Sequence, residues 1–350
     1  MINMAEKMKG VIHLGNLKFA IDPAIDIPEP GPNQILIKVA YTALCATDIH
    51  GSAGVIGIGG AAPGHAIGHE CSGVVVKLGS EAAGKGFNIG DHVVGDPGMY
   101  CHHCIACKEG KKCTTIHERG HGSMAQYKLY NLDSCHVIPG DFPLKRAVLV
   151  EPTTCVLRAM DLTKPLMGQT ACLSGAGGIG MLLLRAIKRA GLTKITVIEP
   201  VEEKWPLIKE LGAEHVINPK TQDVKAECDR ITNGVGFDYV YECAGVPSAA
   251  PVCLDILGYG GTACYFAVYT EDYDLPVNLH KLFMKEGRIQ AVFVHPTNFP
   301  RAVRFIQEDD PVIDKIIGLE LPLDRAVEAF EAFETSKYSK IVLKCHEDLA

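Results

Sequence analysis

The stretch "TACLSGAGGIGMLLLRAIKRAGLTKITVIEP" constrains this chain more than any other. A β-rich run, a glycine turn, an amphipathic helical pattern and a second β-rich run follow one another. Gly175, Gly177 and Gly180 form G-x-G-x-x-G, with Gly178 and Ile179 inside the same turn. The spacing alone is weak evidence; between a strand and a helix it has a mechanism. The first glycine permits the tight turn. The second lets the backbone approach a pyrophosphate seated at the helix N-terminus, and the third lets helix and strand pack closely. Glu199 ends the second strand, close to the ~20-residue offset at which an acid meets the ribose. Its carboxylate can accept from both ribose hydroxyls of NAD and would repel the 2′-phosphate of NADP. No arginine follows directly to receive that phosphate, so the pattern predicts NAD. A glycine-rich turn without a nucleotide is the plainer alternative.

The alternation continues through "EEKWPLIKELGAEHVIN", "FDYVYECAG", "APVCLDILGYGGTACYFAV" and "RIQAVFV". Strands alternating with helices predict a parallel α/β sheet. Upstream the pattern differs. "ILIKVAYTALC" and "CSGVVVKLG" are β-rich and are broken by "PEPGPNQ", "GIGGAAPG" and "VGDPG", which predicts an all-β, barrel-like unit. After about residue 296 come a helix, "NFPRAVRFIQED", and then a helix and closing strand, "LPLDRAVEAFEAFETSKYSKIVLK". That tail is expected to return to the first unit. With 350 residues the chain is long enough for about two domains. The expected division is 1–155 with 295–350, and 156–294.

A net charge of −7 advertises no polybasic surface for nucleic acid. No apolar run reaches the ~18 residues needed to span a bilayer, and "MINMAEKMKGVIHLG" lacks a signal-peptide pattern. The expected location is the cytoplasm. Fourteen cysteines are many for such a chain. Nine of them (Cys71, Cys135, Cys155, Cys172, Cys228, Cys243, Cys253, Cys264, Cys345) sit mostly in apolar company and read as small buried hydrophobes.

The other five are Cys45 and a cluster. Cys45 belongs to "ALCATDIH" with Thr47, Asp48 and His50; "IGHECSG" supplies His69 and Glu70, and "LVEPTT" supplies Glu151. Together they offer a thiolate, an imidazole and carboxylates, a plausible zinc ligand set with room for an open position. Cys101, Cys104, Cys107 and Cys113 read C-x2-C-x2-C-x5-C, a spacing that suits a closed, four-thiolate structural zinc. An unmetallated or oxidised cluster and a redox device are the alternatives. No thioredoxin-like βαβ pattern surrounds the cluster to favour redox chemistry.

These motifs in this order, with "CATD", "GHECSG", "VEP", "GAGGIG" and the acidic strand end, resemble the zinc-dependent medium-chain dehydrogenase/reductase family along nearly the whole chain. The polyol (sorbitol) and threonine dehydrogenase branch is the most similar, because Glu151 stands in "EP" where liver-type alcohol dehydrogenases have a cysteine. The resemblance implies a GroES-like β-rich catalytic domain with an inserted Rossmann domain. It implies that Cys45 and His69 bind a catalytic zinc, with Glu70 and Glu151 binding directly or through water. Asp48 would orient a ligand, and Thr47 and His50 would relay the alcohol proton to solvent. The family's usual last spacer in the cluster is seven residues, and here it is five. The fourth ligand is then Cys113, or else His117, His102 or His103.

The implied activity is NAD-linked oxidation of a secondary hydroxyl to a ketone, reversibly, with zinc as Lewis acid. Polyols, cyclitols, amino alcohols and simple secondary alcohols are all candidate substrates. Segments 49–58, Tyr100, 118–121, 266–269 and 293–295 are expected to line the pocket. Two readings compete: a non-catalytic nucleotide-binding redox sensor, and a zinc-free NADPH reductase of the same superfamily. Neither needs the full set of Cys45, Thr47, His50, His69, Glu70 and Glu151. A homodimer or homotetramer is expected, with "GRIQAVFV" able to pair across a two-fold.

Overall fold

The computed structural model describes residues 6–53, 63–98, 100, 101, 103–111, 113, 121–293 and 298–349. Its strands fall into three sheets. A hairpin of β1 (Lys7–Gly15) and β2 (Lys18–Asp26) turns at Asn16 and Leu17, both with positive φ. The largest sheet has seven strands. It contains β3 (Gln34–Ala43), β4 (Glu70–Leu78), β5 (His92–Gly95), β6 (Tyr127–Asn131) and β7 (Cys135–Val137), all paired antiparallel.

The six-stranded sheet contains β8 (Thr170–Ser174), β9 (Thr193–Ile198), β10 (His215–Ile217), β11 (Phe237–Glu242), β12 (Leu257–Tyr265) and β13 (Arg288–Ala291). All its pairs are parallel, and the spatial order is β10-β9-β8-β11-β12-β13. The order reverses beside β8, which makes the doubly wound arrangement whose ligand crevice lies at the carboxyl ends of the strands. Buried Cys172, Leu173, Ile195, Val197, Val240 and Ala263 explain why these strands are near-continuous apolar runs.

Past this sheet the chain goes back. β14 (Ile317–Pro322) pairs parallel with β15 (Lys340–Lys344), and β15 pairs antiparallel with β3. β14 was not foreseen. Its "IGLELP" is a short run between two 3-10 turns, too brief for the alternation to stand out from the flanking helices. β13 is shorter than its apolar run suggested: Phe293 lies beyond it, and residues 294–297 lie outside the described residues. Among the described residues it is also the edge strand of its sheet, and Phe283, Leu279 and Tyr259 nearby are largely exposed.

The helix Val150–Thr163 joins the two large sheets. Its buried side packs into one core with the helix Gly178–Arg189, the helix Phe299–Gln307 and strand residues Tyr41, Val94, Leu173 and Tyr241. Asn298 Nδ2 donates to the Thr154 carbonyl at 3.4 Å, and Arg301 pairs with Asp161 at 2.6 Å. Arg185 and the fully buried Asp309 side chain tie the glycine-turn helix to the segment after Gln307 at 2.8 Å. Among the described residues no helix is long and apolar enough to cross a membrane.

Candidate active site

Cys45 ends the loop after β3 and immediately precedes the helix Ala46–Ser52. Asp48, in the first turn of that helix, reaches back so that its Oδ2 accepts from the Cys45 backbone N–H at 3.0 Å. Its Oδ1 lies 3.2 Å from His69 Nδ1. One buried carboxylate thus fixes the cysteine's loop and the histidine's ring, and leaves Nε2 of His69 for a ligand. His69 is aimed by Gly68, at φ +92°; a Cβ there would lie 2.5 Å from Met124 Cγ. Burial alone would lower the His69 pKa, but Asp48 and Cys45 outweigh it and hold the imidazole well above its usual value. The Cys45 thiol lies 3.5 Å from Thr47 Oγ1. The His50 ring is partly buried, which lowers its pKa, and among the described residues its buried Nδ1 has no hydrogen-bond partner.

Ligand atoms of Cys45, His69 and Glu70 all lie within 4.8 Å of one another. A sulfur, an imidazole nitrogen and a carboxylate oxygen at that separation fit a zinc ion. Glu151 is not in that group. It sits buried in the first turn of the helix Val150–Thr163, near enough to Glu70 to push its carboxyl further upward after burial, against the opposing pull of Lys340.

Lys340 has no counterpart in the sequence reading. Its ammonium donates to Glu70 Oε1 at 2.6 Å, and both side chains are almost fully buried. Its stem lies under the glycine turn, where a Cβ on Gly178 would meet Lys340 Cδ at 3.3 Å and the Ser339 carbonyl at 3.0 Å. Ser339 Oγ donates to the Ala176 carbonyl at 3.3 Å. The start of β15 therefore touches Glu70 of the Cys45–His69–Glu70 group and the glycine turn at once.

The turn has the expected geometry. Gly175 has φ +94°, and a Cβ there would lie 2.9 Å from the Ala244 backbone. A Cβ on Gly180 would lie 2.1 Å from the Gly175 carbonyl oxygen, whereas one on Gly177 would meet nothing within 4 Å. The helix Gly178–Arg189 has no side-chain cap, so its first N–H groups are available to an anion. Glu199 is buried just past β9, with Oε2 accepting from Ala176 N and Oε1 from Val201 N, each at 2.9 Å. Lys204, also unforeseen, is buried nearby; desolvation lowers its pKa and Glu199 opposes that.

In the cluster, the sulfurs of Cys101, Cys104, Cys107 and Cys113 lie within 4.8 Å of one another. The short spacer still brings Cys113 to the group, and His103 is not part of it; His102 and His117 lie outside the described residues. Four mutually close thiols fit a closed zinc site. Seven of the nine other cysteines are buried as expected, while Cys155 and Cys243 are partly exposed. Cys155 needs correction as a core cysteine. It stands one turn after Glu151, and burial followed by Glu151 raises its thiol pKa, with Cys45 and Glu70 also among its ionisable neighbours. Of the expected pocket segments, 54–58, 118–120, 294 and 295 lie outside the described residues.

Two family models match this chain: "Alcohol dehydrogenase GroES-like domain" over residues 31–140 and "Zinc-binding dehydrogenase" over residues 178–308. The zinc-type alcohol dehydrogenase-like protein YdjJ of Escherichia coli K12 is 31% identical over 290 residues, 80% of this chain and 82% of its own. The chain belongs to the zinc-type alcohol dehydrogenase family. Sorbitol dehydrogenase of Bacillus subtilis strain 168 is 28% identical over 335 residues, 93% of each chain. Among solved structures, a zinc-binding dehydrogenase candidate from Sinorhizobium meliloti 1021 bound to NADP matches with a TM-score of 0.88 at 26% identity, over 97% of this chain and 100% of its own. The fold is accordingly a GroES-like β-rich domain with a Rossmann-type domain, and the class is a zinc alcohol/polyol dehydrogenase.

Proposed function

We propose that this chain is an NAD-dependent zinc dehydrogenase that reversibly oxidises a secondary hydroxyl of a small polyol-like alcohol to the ketone. One observation carries the reading. Lys340 packs its stem against Gly178 of the nucleotide turn and its ammonium against Glu70 of the metal set. Cofactor and metal sites that share one side chain belong to one reaction centre.

Cys45, His69 and Glu70 would hold a catalytic zinc, with Glu151 joining directly or through water. That ion supplies Lewis acidity, which lowers the pKa of an alcohol at neutral pH. The nicotinamide ring supplies the hydride acceptor. Asp48 fixes the tautomer of His69 by its bond to Nδ1. Thr47, donor and acceptor in one hydroxyl, takes the alcohol proton, and neutral His50 passes it outward. Lys340 compensates the buried Glu70 charge and holds the carboxylate in place. Gly175, Gly177, Gly178, Ile179 and Gly180 form the pyrophosphate turn.

Glu199 supports NAD, since a 2′-phosphate would be driven against a buried carboxylate. Lys204 lies close enough to soften that repulsion, and the relative holding NADP makes the comparison necessary. Cys101, Cys104, Cys107 and Cys113 would hold a second, structural zinc. The sorbitol dehydrogenase relative supports a polyol substrate. The test is a panel of polyols, cyclitols, amino alcohols and simple secondary alcohols with NAD and NADP in parallel, on zinc-replete protein. Reduced cofactor should form with secondary alcohols and with NAD in preference. No turnover with either cofactor across the panel would sink the proposal, and a preference for NADP would sink the role given to Glu199.

A further inference from the structure

Glu242 is a fully buried carboxylate that belongs neither to the metal set nor to the glycine turn. It ends β11, in register with Ser174 at the end of β8, which is itself in register with Ile198 of β9. These positions lie along the carboxyl edge of the parallel sheet, where the strand order reverses and the ligand crevice forms. The glycine turn follows Ser174, and Glu199 follows Ile198. A dinucleotide with its pyrophosphate at that turn and its adenosine ribose at Glu199 has only the β11 side left for its nicotinamide half.

Backbone groups hold the side chain. Ala244 N donates to Oε1 at 2.9 Å, and Gly245 N donates to Oε1 at 3.2 Å and to Oε2 at 3.3 Å. The turn so capped is packed on two sides. Cys243 N donates to the Ser174 carbonyl at 2.8 Å, and a Cβ on Gly175 would lie 2.9 Å from the Ala244 backbone. On the other side, Phe266 N and Ala267 N donate to the Glu242 carbonyl at 2.9 Å and 3.2 Å. A Cβ on Gly245, at φ +70°, would lie 3.3 Å from Ala267 Cβ.

The charge itself is left uncompensated. Buried Glu70 has Lys340 and buried Asp309 has Arg185, whereas among the described residues no lysine or arginine pairs with Glu242. Burial raises its pKa, against the Tyr269 phenol and the amides of Ala244 and Gly245. A carboxylate out of water is costly unless a cation joins it. The cofactor brings one: the oxidised nicotinamide ring is positive, and it loses that charge when it accepts the hydride.

We propose that Glu242 sets the redox preference of the cofactor site: its fixed negative charge on the nicotinamide side favours the oxidised, cationic ring over the reduced, neutral one. The inference rests on the dehydrogenase reading above. Glu242 touches no substrate in this role and acts through the field it places in the crevice.

The experiment measures dissociation constants of NAD and NADH by calorimetry, with NADP and NADPH in parallel and no alcohol present. Wild type, Glu242→Gln and Glu242→Asp are compared, each with its thermal melt. Gln keeps the shape and an acceptor for the amides while removing the charge. It should weaken NAD about tenfold and leave NADH nearly unchanged. Asp keeps the charge and should keep the wild-type ratio of the two constants. Equal weakening of both forms, or no change in either, would overturn the inference, because Glu242 is then only a brace for its turn. A ratio that falls in the Asp variant as far as is expected for Gln would overturn it too, and that arm stands even where the Gln variant unfolds. A wild type that binds none of the four dinucleotides overturns the parent reading and this inference together. A wild type that binds them, with the ratio unmoved in Glu242→Gln, overturns this inference alone.

Discussion

His50 and His69, from the two short runs that flank the proposed metal set, have surroundings that send them in opposite directions. His69 is partly buried and faces Asp48 and Cys45, which raise its pKa against the effect of burial. His50 has burial as its main influence, which lowers its pKa. A group at the exit of a proton relay must accept a proton, so it works in its neutral form. With a depressed pKa, His50 is neutral at pH 7 and gains its charge only below the ordinary imidazole range. Turnover should therefore hold through neutral pH and fall as pH drops past that lowered value. His50→Gln should reduce kcat about a hundredfold and flatten that acid limb. A pH–rate profile identical to wild type would remove His50 from the relay. The sequence alone gave the residue types here, since "CATDIH" and "GHE" are short local runs. It could not give Lys340, which lies 270 positions from its partner Glu70. Nor could it separate Cys155 from the core cysteines, because that distinction depends on which face of a helix meets the metal set.

Among the elements, the glycine turn separates a binding role from a packing role within a few residues. Among the described residues nothing lies near a Cβ on Gly177, while Gly180 abuts the Gly175 carbonyl. Gly177→Ala should keep its stability and lose affinity for NAD, because the methyl group occupies the approach of the pyrophosphate. Gly180→Ala should be destabilised by about 1–3 kcal/mol, because the helix must move off its strand. Trp205 is the only tryptophan and donates from Nε1 to the Glu199 carbonyl at 3.1 Å. Its fluorescence should change on NAD addition, giving a direct titration alongside thermal melts. Equal stability losses with unchanged NAD affinity would contradict the assignment of Gly177. This element was legible because the strand, turn and helix are contiguous, and the spacing is set by local geometry. Strand β14 and the short β13 were less legible, since four to six residues carry little periodic signal.

Across the whole molecule, the chain closes on itself. β15, the last strand, pairs with β3 and delivers Ser339 and Lys340 to the glycine turn. The proposed catalytic set is drawn from the end of β3, the start of β4 and the helix that leads into the parallel sheet. Sequence order scatters these pieces; the geometry brings Cys45, His69 and Glu70 together and leaves Glu151 outside that group. The cysteine cluster, the most conspicuous run in the sequence, lies on a separate loop with all four sulfurs turned on one another. In the proposed reading it would hold its own loop together, and the chemistry would belong to the set of Cys45, His69 and Glu70. The central claim is that turnover depends on the ion held by Cys45, His69 and Glu70. The most direct measurement is the rate of NADH formation on a polyol substrate before zinc is chelated, after it is removed, and after it is restored. The account predicts a rate that falls to background on removal and returns with zinc. A full rate in metal-free protein would contradict it.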